Sequence, residues 1–182
     1  MKTLRRGMAA ACLLVAVAYF WYRYQYPHGY NHCCDKALYL ALLNYAAAHE
    51  GAFPAGESTP EASLSLVYRW SREAIDAHTL AGKTGSTAAT QSTLDRGELL
   101  GPDTCGWNYV EGLRLDSNPR LALFWDKDGL GHDSQRLPGG GHEVYFLSGE
   151  VVHIPESEWS KFRAEQHTLL DDEKRSAEDK RP

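Results

Sequence analysis

One apolar run near the N-terminus constrains this chain more than any other feature. Gly7 to Tyr22 (GMAAACLLVAVAYFWY) carries no charge; Lys2, Arg5 and Arg6 precede it and Arg23 follows. As helix its roughly 16 residues are about 24 Å long, against the ~20 residues that cross a ~30 Å hydrocarbon core. Two readings fit. In the first the run is a signal anchor: residues 1–6 are a cytoplasmic n-region and residues 7–26 span the membrane. Tyr19, Phe20, Trp21, Tyr22, Tyr24 and Tyr26 form an aromatic belt at the far interface, and Arg23 snorkels to the head groups. The chain is then a single-pass protein of the cell inner membrane, with its C-terminal part exported to the periplasm. In the second reading the run is a cleaved signal peptide, cut after Ala16-Val17-Ala18. A mature chain opening Tyr-Phe-Trp-Tyr would expose much aromatic surface, which favours the anchor.

Residues 27–170 suit one domain. The formal charge of −5 includes the basic N-terminus, so the remainder is more acidic still, which argues against nucleic acid as a partner. An oxidising compartment permits one disulfide among Cys33, Cys34 and Cys105. Cys34 with Cys105 is the candidate pairing, with Cys33 as the alternative; the plainer reading is a membrane-proximal cysteine pair. Adjacent Cys33 and Cys34 do not match the spacing of paired zinc ligands.

Past the break at Pro27-His28-Gly29, Asp35 to His49 reads as helix. Leu38, Leu42, Tyr45 and His49 share one face, Asp35 caps it and Gly51 stops it. Thr59-Pro60-Glu61 starts a second helix with Leu64, Val67, Tyr68, Ser71 and Ile75 inward. Thr79 to Thr93 is rich in Gly, Ser, Thr and Ala and reads as a long flexible loop. Strands are expected at Trp107–Leu113, Leu121–Asp126, Glu143–Leu147 and Glu150–Ile154, the last two joined by a two-residue hairpin at Ser148-Gly149. Val144, Phe146, Val151 and Ile154 would join the core. A last helix after Pro155 carries Trp159, Phe162 and Leu169, and the charged residues 171–182 read as a disordered tail. Helices first and antiparallel strands after make an α+β pattern.

Several stretches, in order, carry a resemblance. Leu40-Ala41-Leu42-Leu43-Asn44-Tyr45 followed by His49-Glu50-Gly51-Ala52-Phe53-Pro54 resembles the helix-and-turn of type IV pilin-like, pseudopilin-like proteins of the planctomycete and verrucomicrobial type. Leu99 to Cys105, Trp107-Asn108-Tyr109-Val110 and Gly141 to Gly149 resemble that group's C-terminal half. The resemblance covers roughly residues 34 to 166. It implies a membrane-embedded N-terminal helix followed by a pilin-like domain of helices packed on an antiparallel sheet. It also implies a non-enzymatic structural or interaction component of the envelope, associated with a type II secretion or filament system and with other pilin-like proteins as partners. At the N-terminus Arg5-Arg6-Gly7-Met8 imitates a prepilin start. The family's Glu, five residues after the glycine, is here Cys12. A charge inside the membrane is expensive, so its absence is informative: an uncleaved anchor fits better than a filament subunit.

Asp126-Lys127-Asp128-Gly129-Leu130-Gly131-His132-Asp133 is the most suggestive stretch chemically. Asp126, Asp128 and Asp133 offer hard oxygen ligands around a Gly turn, which suits calcium, and structural calcium in some pseudopilins adds family support. The loop has neither a third alternate Asp nor the twelfth-position Glu of an EF-hand, and a plain polar turn explains the same residues. His132 and His142, either side of Gly139-Gly140-Gly141, could serve zinc or another transition metal. His28 and His32 beside Cys33 and Cys34 form another such grouping. The alternative function is therefore a metal-dependent binding module or enzyme built around Asp126–His142. No cofactor is called for beyond that calcium. Ser148 lacks the preceding glycine of a nucleophile elbow. Trp107, Trp125 and Trp159 read as core anchors rather than a ligand cage.

Overall fold

The computed structural model describes residues 2–32 and 35–179. Its elements, in order, are α1 (Lys2–Gln25), α2 (Asp35–Ala48), α3 (Pro60–Trp70), α4 (Ala77–Ala81), α5 (Thr87–Asp95), β1 (Trp107–Tyr109), β2 (Ala122–Asp126), β3 (His142–Phe146), β4 (Val151–Ile154) and α6 (Glu156–Asp179). The α+β expectation holds: an apolar N-terminal helix, more helices, then a four-stranded antiparallel sheet in the order β1-β2-β3-β4. The register sets Trp107 opposite Asp126, Trp125 opposite Val144, and Val144 opposite Val152.

The sheet separates two helical layers. On one face Phe124 stacks on Tyr145 at 4.6 Å and meets Trp107 edge-on at 5.4 Å, with Tyr39 of α2 at 6.0 Å from Tyr145. Leu38, Leu42, Leu64, Val67, Leu80, Leu121 and Leu123 fill this layer and are inaccessible to solvent. On the other face α6 sets Trp159 against Trp125 at 5.8 Å and Phe162 against Phe146 at 6.0 Å. Trp107 is the fully buried tryptophan. Its indole N–H donates to the Thr79 carbonyl at 2.7 Å, the partner a buried indole requires.

Local chemistry explains the helix ends. The Thr59 hydroxyl accepts from the Ala62 amide at 3.2 Å and Pro60 opens α3. α2 stops at Ala48, where Glu50 and Gly51 take left-handed conformations (φ 54° and 85°) and the Gly51 amide returns to the Ala46 carbonyl.

Five expectations are corrected. Residues 79–93 are not one long flexible loop: 79–81 end α4, 87–93 belong to α5, and only 82–86 connect them. Asp76 accepts from the Thr79 amide at 2.7 Å and Ser86 from the Ala89 amide at 3.3 Å, so the small polar residues act as caps, while Leu80 and Leu94 anchor the helices in the core. α3 ends at Trp70, so Ser71 and Ile75 lie beyond it, although Ile75 is buried. The hairpin loop has three residues rather than two. The Phe146 amide donates to Glu150, the Gly149 amide to Phe146, and Gly149 takes the left-handed bulge conformation at φ 85°. Val151, on the edge strand opposite Tyr145, is 45 % exposed instead of core. Finally, α6 continues through Asp171–Asp179 where a disordered tail is expected. Leu169 and Leu170 pack against the core, and the pairs His167–Asp171 and Asp172–Arg175 support the helix at its own spacing. Residues 180–182 lie outside the described residues.

Candidate functional site

α1 contributes the Gly7–Gln25 stretch, 19 residues with mean hydropathy 1.2 and none buried. At 1.5 Å per residue it is about 28 Å long, enough to cross a membrane by length and composition. It outruns the charge-free segment because the helix continues through Arg23, Tyr24 and Gln25. Leu13, Leu14, Val15, Phe20 and Trp21 each expose more than 60 % of their surface. An apolar surface of this extent is one that something else must cover.

The chain beneath α1 docks on the loop between β2 and β3. The Arg136 amide donates to the Gln25 carbonyl at 2.8 Å, and its guanidinium donates to the Tyr24 carbonyl at 2.9 Å while lying over the Tyr24 ring. Ser134, fully buried and left-handed at φ 63°, donates to the Asn31 carbonyl at 2.8 Å. Tyr30 donates to Asp133 at 3.3 Å.

The loop itself is organised by Asp126. Its Oδ1 accepts from the Asp128 and Leu130 amides at 2.9 and 3.2 Å, an Asx turn of the kind Asp adopts to close a polar loop. Its Oδ2 is buried with no hydrogen-bond partner. Burial pushes this carboxyl up to about 6. Asp128 pairs with the Thr84 hydroxyl. Asp133 points to the chain beneath α1 and accepts from His32 at 2.7 Å. That hydrogen bond holds the Asp133 carboxyl below its ordinary value. The three carboxylates proposed for calcium thus serve three different local partnerships. Among the described residues, the group whose ligand atoms lie within 4.8 Å of one another is His32, His132 and Asp133; Asp126 and Asp128 stand outside it.

His142 takes a separate role. Its Nδ1 bonds the Asp126 carbonyl at 2.8 Å and its ring rests 4.2 Å from Trp159. Burial lowers its pKa. No known protein family, curated protein or solved structure matches the chain. Whatever the site does must therefore be read from its own geometry.

Beside the loop lies a buried ionic network that the sequence does not announce. Lys83, with no exposed side-chain surface, reaches Asp35 at 3.1 Å, the Leu130 carbonyl at 2.7 Å and Glu143 at 3.9 Å. Its ammonium also lies 5.6 Å from the centre of the Trp107 ring. Burial raises the Asp35 carboxyl even though Lys83 pulls the other way, and Asp35 Oδ1 has no hydrogen-bond partner. Asp35, expected as a cap, is instead a buried ion at the first turn of α2. Cys105 is a buried free thiol whose pKa burial pushes to about 11. Its candidate partners Cys34 and Cys33 lie outside the described residues.

Proposed function

We propose that this chain is a non-enzymatic, membrane-anchored envelope protein, with α1 as a single-pass anchor and residues 27–170 as an exported pilin-like domain. In this reading Lys2, Arg5 and Arg6 hold the N-terminus in the cytoplasm, α1 packs in the inner membrane, and the domain meets other envelope or pilin-like proteins on the periplasmic side. The observation that carries the reading is α1 itself. It is apolar, entirely unburied and joined to a domain that already has its own core. Support for a pilin-like domain comes from the order of elements, an N-terminal apolar helix and then α2 against an antiparallel meander. Cys12, at the position of the family's membrane glutamate, favours a permanent anchor over filament assembly.

The test is a topology and processing experiment on the full chain. Intact mass from native membranes should show a chain that starts upstream of Gly7. Alkaline extraction should leave it in the membrane, and protease added to the periplasmic side should reach the domain. A chain starting at Met8 would replace the anchor reading by a processed pseudopilin. A chain starting at Tyr19 and released by alkali would sink the membrane assignment.

A further inference from the structure

The segment beneath α1 and the β2–β3 loop are brought together at two imidazoles whose positions are 100 residues apart in the chain. His32 Nε2 and His132 Nε2 lie 3.2 Å apart, a hydrogen-bond distance, with the rings nearly perpendicular (82°) and their centres 4.2 Å apart. His32 Nδ1 lies 2.7 Å from Asp133 Oδ1. Tetrahedral zinc, with bonds of about 2.0–2.1 Å to imidazole nitrogen, holds two such nitrogens about 3.3 Å apart. The observed 3.2 Å is close to that edge, and a modest turn of the rings, to bring their centres from 4.2 Å to about 5 Å apart, would aim both nitrogens at one ion. With the carboxylate behind His32 accepting a hydrogen bond from Nδ1–H, the Nε2 lone pair is left for a ligand. This is the orientation that a carboxylate–histidine pair imposes at metal sites.

We propose that His32 and His132 bind one divalent transition metal of the zinc class through their Nε2 atoms. Asp133 is the positioning residue behind His32, and solvent fills the remaining positions. Imidazole donors select such a metal over calcium, which takes oxygen. Both His32 and Asp133 are reached by solvent, so the ion has an entry path. Binding closes the chain between residues 32 and 132 into a metal-linked loop, which adds to the contacts that Arg136 and Ser134 already make with residues 24–31. The metal therefore fixes how the domain is carried below α1. The inference does not rest on the membrane reading, since it needs only the two segments to meet.

The experiment uses the untagged full chain in a mild detergent, stripped with chelator and titrated at pH 7.5 with Co²⁺ followed by visible absorption, then with Zn²⁺ in competition. One equivalent should bind. His32→Asn and His132→Asn should each weaken Zn²⁺ binding at least tenfold, and Asp133→Asn by about tenfold, as loss of a ligating histidine's hydrogen-bond partner does. His153→Gln, whose ring bonds the Gly140 carbonyl elsewhere, should leave it unchanged. Amide exchange across residues 24–32 should slow when the metal is added to the wild-type chain and not to His132→Asn. Near-ultraviolet circular dichroism of each variant separates loss of the site from loss of the fold. Failure to bind at 100 µM Zn²⁺, or equal binding by the wild type and both histidine variants when all are folded, overturns the proposal.

Discussion

Replacing Lys83 by methionine tests how the domain is held together. The side chain is fully enclosed, and its ammonium sits 3.1 Å from Asp35 and 2.7 Å from the Leu130 carbonyl. At an effective dielectric of about 20, unit charges at that separation attract by roughly 5 kcal/mol. Desolvation of both ions offsets much of this when the pair forms. It does not offset it when one partner is removed, because Asp35 then stays buried without its cation and must either ionise unpaired or take up a proton. Breaking a buried pair in this way costs about 3–5 kcal/mol. Methionine keeps most of the stem volume, so the loss reads the charge rather than a cavity. Urea unfolding of the full chain in detergent, followed by tryptophan emission, should show this drop in stability. The cycle is completed by Asp35→Leu and the double variant. Removing both charges should recover about 2 kcal/mol or more relative to the sum of the single losses. A Lys83→Met loss below about 1 kcal/mol, or single effects that simply add, would refute the idea that this network is a coupled ion pair.

Two further outcomes follow from buried titratable groups. Asp126 holds its proton up to about 6 in the folded chain against an ordinary 3.8. Its stabilising contribution is thus complete below about pH 4 and is lost as pH rises through about 6. Asp126→Asn retains the Oδ1 acceptor, so the stability of wild type minus variant should fall by about 3 kcal/mol between pH 4 and 7; a flat difference contradicts it. Cys105, only 2 % exposed with its thiol pushed up to about 11, should resist a maleimide in the native chain. It should then react fully in denaturant without reductant, by peptide mass mapping. Labelling that appears only after reduction would show that this cysteine is paired.

The parts of the fold that were legible in the sequence are those written in local chemistry. Thr59-Pro60-Glu61 announces α3 because a cap, a preset φ and a first-turn acid all act within four residues. The strands are legible because aromatic and β-branched residues crowd into short runs between turn residues. The stretch 79–93 misleads for the same reason. Its serines and threonines look like loop material, yet Asp76 and Ser86 use them to start two short helices whose anchors, Leu80 and Leu94, are single residues. The histidine cluster is half legible. His32, His132 and Asp133 each stand out in the sequence, but in separate groupings. Spacing along the chain cannot show that residues 32 and 132 meet. Lys83 carried no signal at all, since a lysine between Gly82 and Thr84 has the look of a solvated turn.

The buried charges and the docking of the apolar helix are one piece of structure. Asp126 fixes the start of the β2–β3 loop through the Asp128 and Leu130 amides. Lys83 then holds the Leu130 carbonyl from inside the core and Asp35 at the first turn of α2. The Asn31 side chain reaches the Lys83 carbonyl, and its own carbonyl accepts from Ser134 four residues beyond Leu130. Arg136 completes the path to Tyr24 and Gln25 at the end of α1. A hydrophobic replacement of the ion pair would satisfy the core equally well. It would not hold the Leu130 carbonyl, on which the position of the loop beneath α1 depends. The cost of burying Lys83 is therefore best explained by orientation: it sets where the domain sits relative to the helix that carries it.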